Sequence, residues 1–179
     1  FCDRRLEGEK YLSQKTAPML VKIYEYMLEK YDIQNVTAQQ LAELEWKLDY
    51  ELVVPRSEIC EAAAKAYEGG KEVYIVSDTY YTKQQLVQLL DKCKITKYTQ
   101  VLASCEYQTG KTQQLFEVLK ERLDGKSCIH IGDDDIADIQ SARKYGISAC
   151  KIYSGPELLE KAGYLGLSKF TKTLSDRIR

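Results

Sequence analysis

The sequence predicts an α/β fold, a Rossmann-like parallel sheet with helices on both faces, together with a small helical cap. After Pro55, short runs of β-branched and aromatic residues alternate with amphipathic segments, and this alternation is typical of parallel sheets covered by helices. Before Pro55, apolar residues recur at steps of three and four, which is the period of an amphipathic helix. A chain of 179 residues is long enough for one such core and a helical insert.

The predicted elements divide the chain into three parts. Residues 1–54 are expected to form the cap, whose last helix begins at a capping box of Thr37 with Gln40 and stops before Pro55. Residues 55–153 are expected to form the α/β core, and residues 154–179 a tail that packs on the core or leads to another domain. The elements predicted in the core are helix 57–67, strand 72–76, helix 83–92, strand 100–103, helix 112–123, strand 127–131, helix 136–145 and strand 148–152.

Composition excludes several classes of function. The net charge is −1, from 26 basic and 27 acidic residues spread along the chain, so no basic surface is expected for nucleic acid or anionic lipid. No apolar run approaches the roughly 20 residues of a membrane span, and nothing resembles a signal peptide. The six cysteines form no Cys-x-x-Cys pair, and there is one histidine, so a zinc site is not expected. We expect a cytoplasmic protein with reduced, mostly buried thiols.

Distinctive polar residues follow three of the predicted strands. Ligands of open parallel sheets bind at the carboxyl ends of the strands, so these positions are the candidate site. The three strand ends read Ser77-Asp78-Thr79, then Thr109-Gly110-Lys111, then Gly132-Asp133-Asp134-Asp135 with Asp138.

The aspartate loop after the third of these strands has two interpretations. Four carboxylates within six residues repel one another unless a cation lies among them, and hard oxygen ligands suit Mg²⁺. Gly132 would let the backbone turn sharply and leave room for a ligand. Alternatively, Asp134, Asp135 and Asp138 complement the dipole of the helix predicted near Ile136. The loop alone leaves both interpretations open.

Lys111 and Ser77 each have a structural and a functional interpretation. A lone lysine is usually a solvated surface charge, but at a strand end it can pair with a phosphate and with nearby carboxylates. The hydroxyl of Ser77 could bond a phosphate oxygen, or Ser77 and Thr79 could close the turn before a capping box of Thr82 with Gln85. Taken singly, these residues favour the structural interpretation.

The order of the three strand ends resembles motifs two, three and four of the haloacid dehalogenase (HAD) superfamily. The motifs read Val73-Tyr-Ile-Val-Ser77, Gly110-Lys111 and His130-Ile-Gly-Asp133-Asp-Asp-Ile-Ala-Asp138, and the resemblance covers residues 55–153. The helices before them look like the cap that this family inserts between its first and second motifs. The stretch 76–95 is similar in particular to HAD domains of bacterial surface-polysaccharide biosynthesis proteins, some of them joined to glycosyltransferases.

The resemblance implies a role for each candidate residue. Ser77 would hold the phosphoryl group by a hydrogen bond, and Lys111 would neutralise charge on the phosphoryl group and the nucleophile. Asp133 would ligate Mg²⁺, and Asp138 would steer Lys111 or the waters of the metal. These roles suit phosphoryl transfer, which depends on positioning and charge neutralisation. The candidates that accompany them are Asp78 and Thr79 for substrate binding and Asp134 as a second residue at the metal.

The first motif of the family, an Asp-x-Asp-x-Thr/Val arrangement after the first strand that supplies the nucleophile, is missing from the chain. Asp3 follows no apolar strand, Asp49 lies in a predicted helix, and Asp78 belongs to the second motif. The family's first strand is central, so its absence would leave a gap between the strands that end at Ser77 and Gly132. Because Phe1 opens within a predicted helix, we expect roughly 20–40 further residues upstream.

Two hypotheses of different classes follow. The first is a Mg²⁺-dependent hydrolase of a small phosphorylated metabolite, which forms an aspartyl-phosphate on an upstream aspartate and closes its cap over the substrate. The second is a catalytically inactive HAD-like interaction or regulatory module of a larger protein, covalently linked to a neighbouring domain such as a glycosyltransferase. An upstream Asp-x-Asp after an apolar strand would discriminate between them. A response-regulator-like domain is disfavoured, because here the acidic cluster follows the lysine.

Overall fold

A computed structural model describes residues 1–163 of the chain. Its strands are β1 (Tyr74–Ser77), β2 (Gln100–Ala103), β3 (Ile129–Gly132) and β4 (Ser148–Lys151). Its helices are α1 (Cys2–Ser13), α2 (Leu20–Lys30), α3 (Ala38–Leu52), α4 (Ser57–Glu68), α5 (Lys83–Lys92), α6 (Ser104–Tyr107), α7 (Leu115–Leu123), α8 (Ser141–Lys144) and α9 (Gly155–Lys161), with a π-helical turn (Asp135–Gln140) before α8. Most of the tail for which the sequence predicts packing on the core or a link to another domain lies outside the described residues.

Helices alternate with parallel strands, which confirms the predicted α/β class. The strands pair as two separate couples: β1 with β2, in the register Tyr74 to Gln100, and β3 with β4, in the register Ile129 to Ser148. Among residues 1–163 no strand pairs with both β1 and β3. The described strands therefore form two parallel pairs rather than one continuous sheet.

The chain forms two compact units. One is Gly8–Gly110, and the other combines Phe1–Glu7 with the described residues from Lys111 onward. We refer to them as the N-terminal unit and the C-terminal unit. The assignment of residues 1–54 as a cap separate from 55–153 stays a prediction.

The N-terminal unit is organised around α2, whose apolar face is buried. Ile23 and Met27 have no exposed surface, and they belong to a cluster that also contains Leu20, Tyr24, Ala42 and Tyr81. Helices α3 and α5 begin with capping boxes at Thr37 and Thr82, as predicted, in which the threonine side chain and the third helical residue satisfy each other's backbone N–H groups. Trp46 packs edge-on against Tyr81, with ring centroids 5.1 Å apart, so this aromatic residue belongs to the core.

The C-terminal unit is organised around α7, which buries its face of Leu115, Phe116, Leu119 and Leu123. The opposite side of the β3–β4 pair is open in the described part of this unit. Ile129 and Ile131 are 62% and 44% exposed, and Cys150 beside them is exposed as well. The expectation of mostly buried thiols is wrong, because Cys105 is the only one of the six cysteines that is buried.

Candidate active site

The loop after β1 is held in place by the short helix α6. The backbone N–H of Thr79 donates to Oγ of Ser104 at 2.8 Å, and this hydroxyl in turn donates to the Thr79 carbonyl at 3.0 Å. The Thr79 hydroxyl accepts from the backbone N–H of Tyr81 at 3.0 Å. Thr79 therefore closes the turn, in agreement with its structural interpretation. Ser77 lies half-buried at the carboxyl end of β1, directly before this rigid turn.

Asp78 is exposed and lies close to the backbone of Gly110 in the same unit. A Cβ atom added to Gly110 would come within 3.2 Å of the Asp78 carboxylate, closer than most natural Cβ contacts. Gly110 therefore lets the loops that follow β1 and α6 approach each other. Ser77, Asp78 and Thr79 belong to the N-terminal unit, whereas Lys111, Asp133, Asp134 and Asp138 belong to the C-terminal unit.

Lys111 is mostly shielded from solvent and pairs with Asp138. It lies in the turn that precedes α7, and its Nζ contacts Oδ1 of Asp138. The side chains are only 12% and 5% exposed. Lys111 is thus not a solvated surface charge, and the structure brings together two of the residues that the sequence singled out.

Asp138 accepts hydrogen bonds at both of its carboxylate oxygens. Oδ2 accepts from the backbone N–H groups of Asp133 at 3.1 Å and Asp134 at 3.0 Å, and Oδ1 lies 2.9 Å from Nε2 of His130. Burial by itself raises the pKa of Asp138, but the hydrogen bonds from His130, Lys111 and the Asp134 backbone outweigh it and hold this pKa well below its usual range. Asp138 is therefore a carboxylate at neutral pH, and its lone pairs are engaged by the protein.

The backbone conformation of the aspartate loop and of the turn after it places the Asp138 carboxylate against the N–H groups of the loop. The N–H groups of Asp138 and Ile139 both donate to the Asp134 carbonyl, at 3.0 and 3.1 Å, and the second of these bonds is the i to i−5 contact of a π-helical turn. Gly132 does not adopt a positive φ, so its backbone conformation does not by itself require glycine. A methyl group at Gly132 would overlap the Asp138 carboxyl group. The room left by this glycine is filled by Asp138.

The three other aspartates of the loop have different surroundings. Asp134 caps the π-helical turn, because its Oδ1 accepts from the N–H groups of Ile136 at 2.8 Å and Ala137 at 2.7 Å. Asp135 forms an exposed ion pair with Lys151 at 2.6 Å. The Asp133 side chain is exposed and makes no hydrogen bond to another described residue. The Asp134 side chain thus lies at the start of a helical turn, which fits the helix-dipole interpretation, and its role at a metal stays a prediction.

The fit of this loop to Mg²⁺ depends on Asp133. The described residues contain no group of three His, Cys, Asp or Glu side chains that could hold a metal ion. Mg²⁺ commonly keeps several waters and takes only one or two protein carboxylates, so a single hard oxygen ligand from this chain is compatible with it. The remaining ligands would be waters and groups outside the described residues.

His130 is the residue of this site to which the sequence assigned no role. Side chains alternate along a strand, so His130 and Gly132 share one side of β3, the side on which Asp138 lies. This alternation is the sequence signal that could have placed His130 in the site. Phe116 meets the imidazole edge-on, with centroids 4.9 Å apart and an interplanar angle of 78°.

The family model of haloacid dehalogenase-like hydrolases matches residues 8–152, which include β1, Lys111 and the aspartate loop. The chain belongs to this family. The resemblance inferred from the three strand ends is therefore confirmed, and a hydrolase function of the phosphohydrolase type is supported in general terms. The likeness to HAD domains of bacterial polysaccharide biosynthesis stays a prediction. A search of curated proteins found no match to this HAD-like hydrolase. No helix in the described part of the chain is long and apolar enough to cross a membrane.

Proposed function

We propose that the full-length protein is a Mg²⁺-dependent hydrolase of phosphate monoesters. The observation that carries the proposal is the buried pair of Lys111 with Asp138 next to the exposed carboxylate of Asp133, at the carboxyl end of β3. Phosphoryl transfer needs positive charge beside the phosphoryl oxygens, and a fixed ammonium group and a metal ion held by a carboxylate would both supply it. Family membership supports the same conclusion, because the three residues belong to the stretch that the family model matches.

Each of the three candidate residues in the C-terminal unit would have a separate role. Asp133 would hold Mg²⁺, which when bound supplies positive charge beside the phosphoryl oxygens. Lys111 would neutralise charge on the phosphoryl group. Asp138 would hold Lys111, because its carboxylate is already engaged by four hydrogen-bond donors and has no free position for direct ligation.

In the N-terminal unit, the hydroxyl of Ser77 would bond a phosphoryl oxygen. Its position supports this role, because Ser77 ends β1 and precedes a turn fixed by Ser104. Asp78 is exposed and could contact the substrate, whereas the Thr79 side chain is engaged in the turn. Residues 1–54 would form a cap that closes over the site and selects a small phosphorylated metabolite as the substrate.

The nucleophile would be the first aspartate of an Asp-x-Asp upstream of Phe1. The 179 residues contain no Asp-x-Asp followed two positions later by Thr or Val, the form that this motif takes. The aspartate would attack the phosphorus atom, form an aspartyl-phosphate and release the alcohol, and water would then hydrolyse the intermediate to inorganic phosphate.

Asp133→Asn is expected to abolish most of the Mg²⁺-dependent hydrolysis of an aryl phosphate by the full-length protein, with kcat/KM reduced by at least about 100-fold. The thermal midpoint should change little, because the exposed Asp133 side chain bonds no other described residue. Asp135→Asn is the matched control. It removes the same charge two positions further along the loop, where the Asp135 carboxylate forms an exposed ion pair with Lys151. Its kcat/KM should stay within about threefold of wild type. Equal effects of the two substitutions would contradict the role of Asp133.

The second candidate function is a catalytically inactive HAD-like module with an interaction or regulatory role. The 179 residues contain no Asp-x-Asp-x-Thr or Asp-x-Asp-x-Val sequence, and this favours it. It predicts that the full-length sequence has no Asp-x-Asp after an apolar strand upstream of Phe1, and that aryl phosphate hydrolysis is absent with and without Mg²⁺.

A further inference from the structure

His130 and Lys111 share one oxygen of Asp138. The imidazole Nε2 lies 2.9 Å from Oδ1, and the His130 side chain is 11% exposed. A carboxylate can only accept hydrogen bonds, so Nε2 must carry the proton and donate it. The carboxylate thus receives two side-chain donors at Oδ1 and two backbone donors at Oδ2.

The two side-chain donors differ in rigidity. The imidazole is held by its strand, where His130 pairs with Ala149 of β4, and by the edge-on contact with the fully buried ring of Phe116. Lys111 reaches Asp138 on a flexible four-carbon stem. The rigid donor, together with the backbone of the loop, therefore determines how the carboxylate is rotated. The carboxylate in turn determines where the ammonium group lies.

We propose that His130 is a positioning residue, which holds Oδ1 of Asp138 and thereby fixes the Lys111 ammonium group in the candidate active site. The effect on catalysis rests on the proposed function, whereas the fixed position of the ammonium group does not. A histidine that only fills space would be replaced equally well by any side chain of similar volume. The positioning role requires a donor at the place of Nε2.

The kinetic test compares His130→Gln with His130→Leu in the full-length protein. Glutamine can place its Nε2 donor near the position of the imidazole Nε2, whereas leucine fills similar space without a donor. His130→Leu is expected to lower kcat for an aryl phosphate by about 10–100-fold with KM within about threefold, as expected when a group that orients an active-site residue is removed. His130→Gln should recover most of this loss.

A second readout does not depend on activity. In ¹⁵N-lysine-labelled protein, a buried and hydrogen-bonded ammonium group exchanges slowly enough to give its own NMR signal, which Lys111→Arg would assign. The wild type and His130→Gln should show this signal, and His130→Leu should lose it. If the wild type hydrolyses no ester, the proposed function fails and this signal alone decides the role of His130.

Three results would overturn the proposal: a His130→Leu variant with kcat within threefold of wild type and an unchanged Lys111 signal, equal losses in His130→Leu and His130→Gln, or no protected Lys111 signal in the wild type. If His130→Leu fails to fold, the location of the ring proton on His130 in the wild type is the test instead. A slowly exchanging proton on Nε2 supports the proposal, and a ring protonated on Nδ1 alone overturns it.

Discussion

Replacing Lys111 with methionine is expected to lower the free energy of unfolding by about 3–5 kcal/mol, the usual cost of leaving one partner of a buried ion pair without the other. Asp138 would keep its burial and lose its nearest cation, since only 5% of its side chain is exposed. Chemical denaturation followed by circular dichroism measures the loss. Methionine keeps the length of the lysine stem, so the change in packing is small.

The double variant Lys111→Met with Asp138→Asn is the control for this interpretation. It removes both charges, so it should be more stable, by about 1 kcal/mol or more, than the sum of the single losses predicts. Additive losses, or a Lys111→Met effect below about 1 kcal/mol, would contradict a buried pair.

The same pair gives the stability a pH dependence with a defined sign. The pKa of Asp138 is lowered by its partners, so its contribution is complete above the ordinary value of 3.8 and is lost as the pH falls below that value toward the lower pKa of the folded state. The difference in unfolding free energy between wild type and Asp138→Asn should therefore be constant near neutral pH and shrink below about pH 4.

Gly132→Ala is expected to destabilise the protein by about 3 kcal/mol, at the upper end of the usual cost of overpacking, because the added methyl group would overlap the Asp138 carboxyl group. Relief would require the carboxylate to move away from both the loop backbone and Lys111. Urea denaturation measures the loss of stability, and the Lys111 ammonium signal would report the displacement.

Gly155→Ala is the matched control for Gly132→Ala. Gly155 begins α9, a Cβ atom there would meet nothing within 4 Å, and its φ is not positive. The substitution should change stability by less than about 1 kcal/mol, and it can be stabilising because alanine restricts the unfolded chain. A Gly132→Ala loss no greater than the change at Gly155 would contradict the close packing of Asp138.

Local signals predicted most of the elements. The capping boxes at Thr37 and Thr82 mark the starts of α3 and α5, and α5 and β2 have the bounds that periodicity and turn residues indicated. Helix α6 was missed because its four residues are too short to show a helical period. The π-helical turn was predicted as an ordinary helix, because its i to i−5 bond depends on how the loop folds under β3 and leaves no mark in the spacing of apolar residues.

The chemistry of the site was predicted less completely than its location. The sequence identified Lys111 and the aspartates because residues at the carboxyl ends of parallel strands have predictable positions. It could not distinguish the surroundings of Asp133, Asp134 and Asp138, which depend on the direction of each side chain: one points to solvent, one caps a helical turn, and one is buried. The contact of His130 with Asp138 was not predictable for the same reason, because it depends on how the turn after the loop folds back toward β3.

The measurement that tests the central claim most directly is the thermal melting of the full-length protein with beryllium trifluoride, which mimics a phosphoryl group on an aspartate beside Mg²⁺. It does not require the substrate to be known. We expect the midpoint to rise by about 5 °C or more only when Mg²⁺ and beryllium trifluoride are both present, and not in Asp133→Asn. A wild-type midpoint that stays unchanged with both ligands present would contradict the assignment of this chain to a working phosphohydrolase.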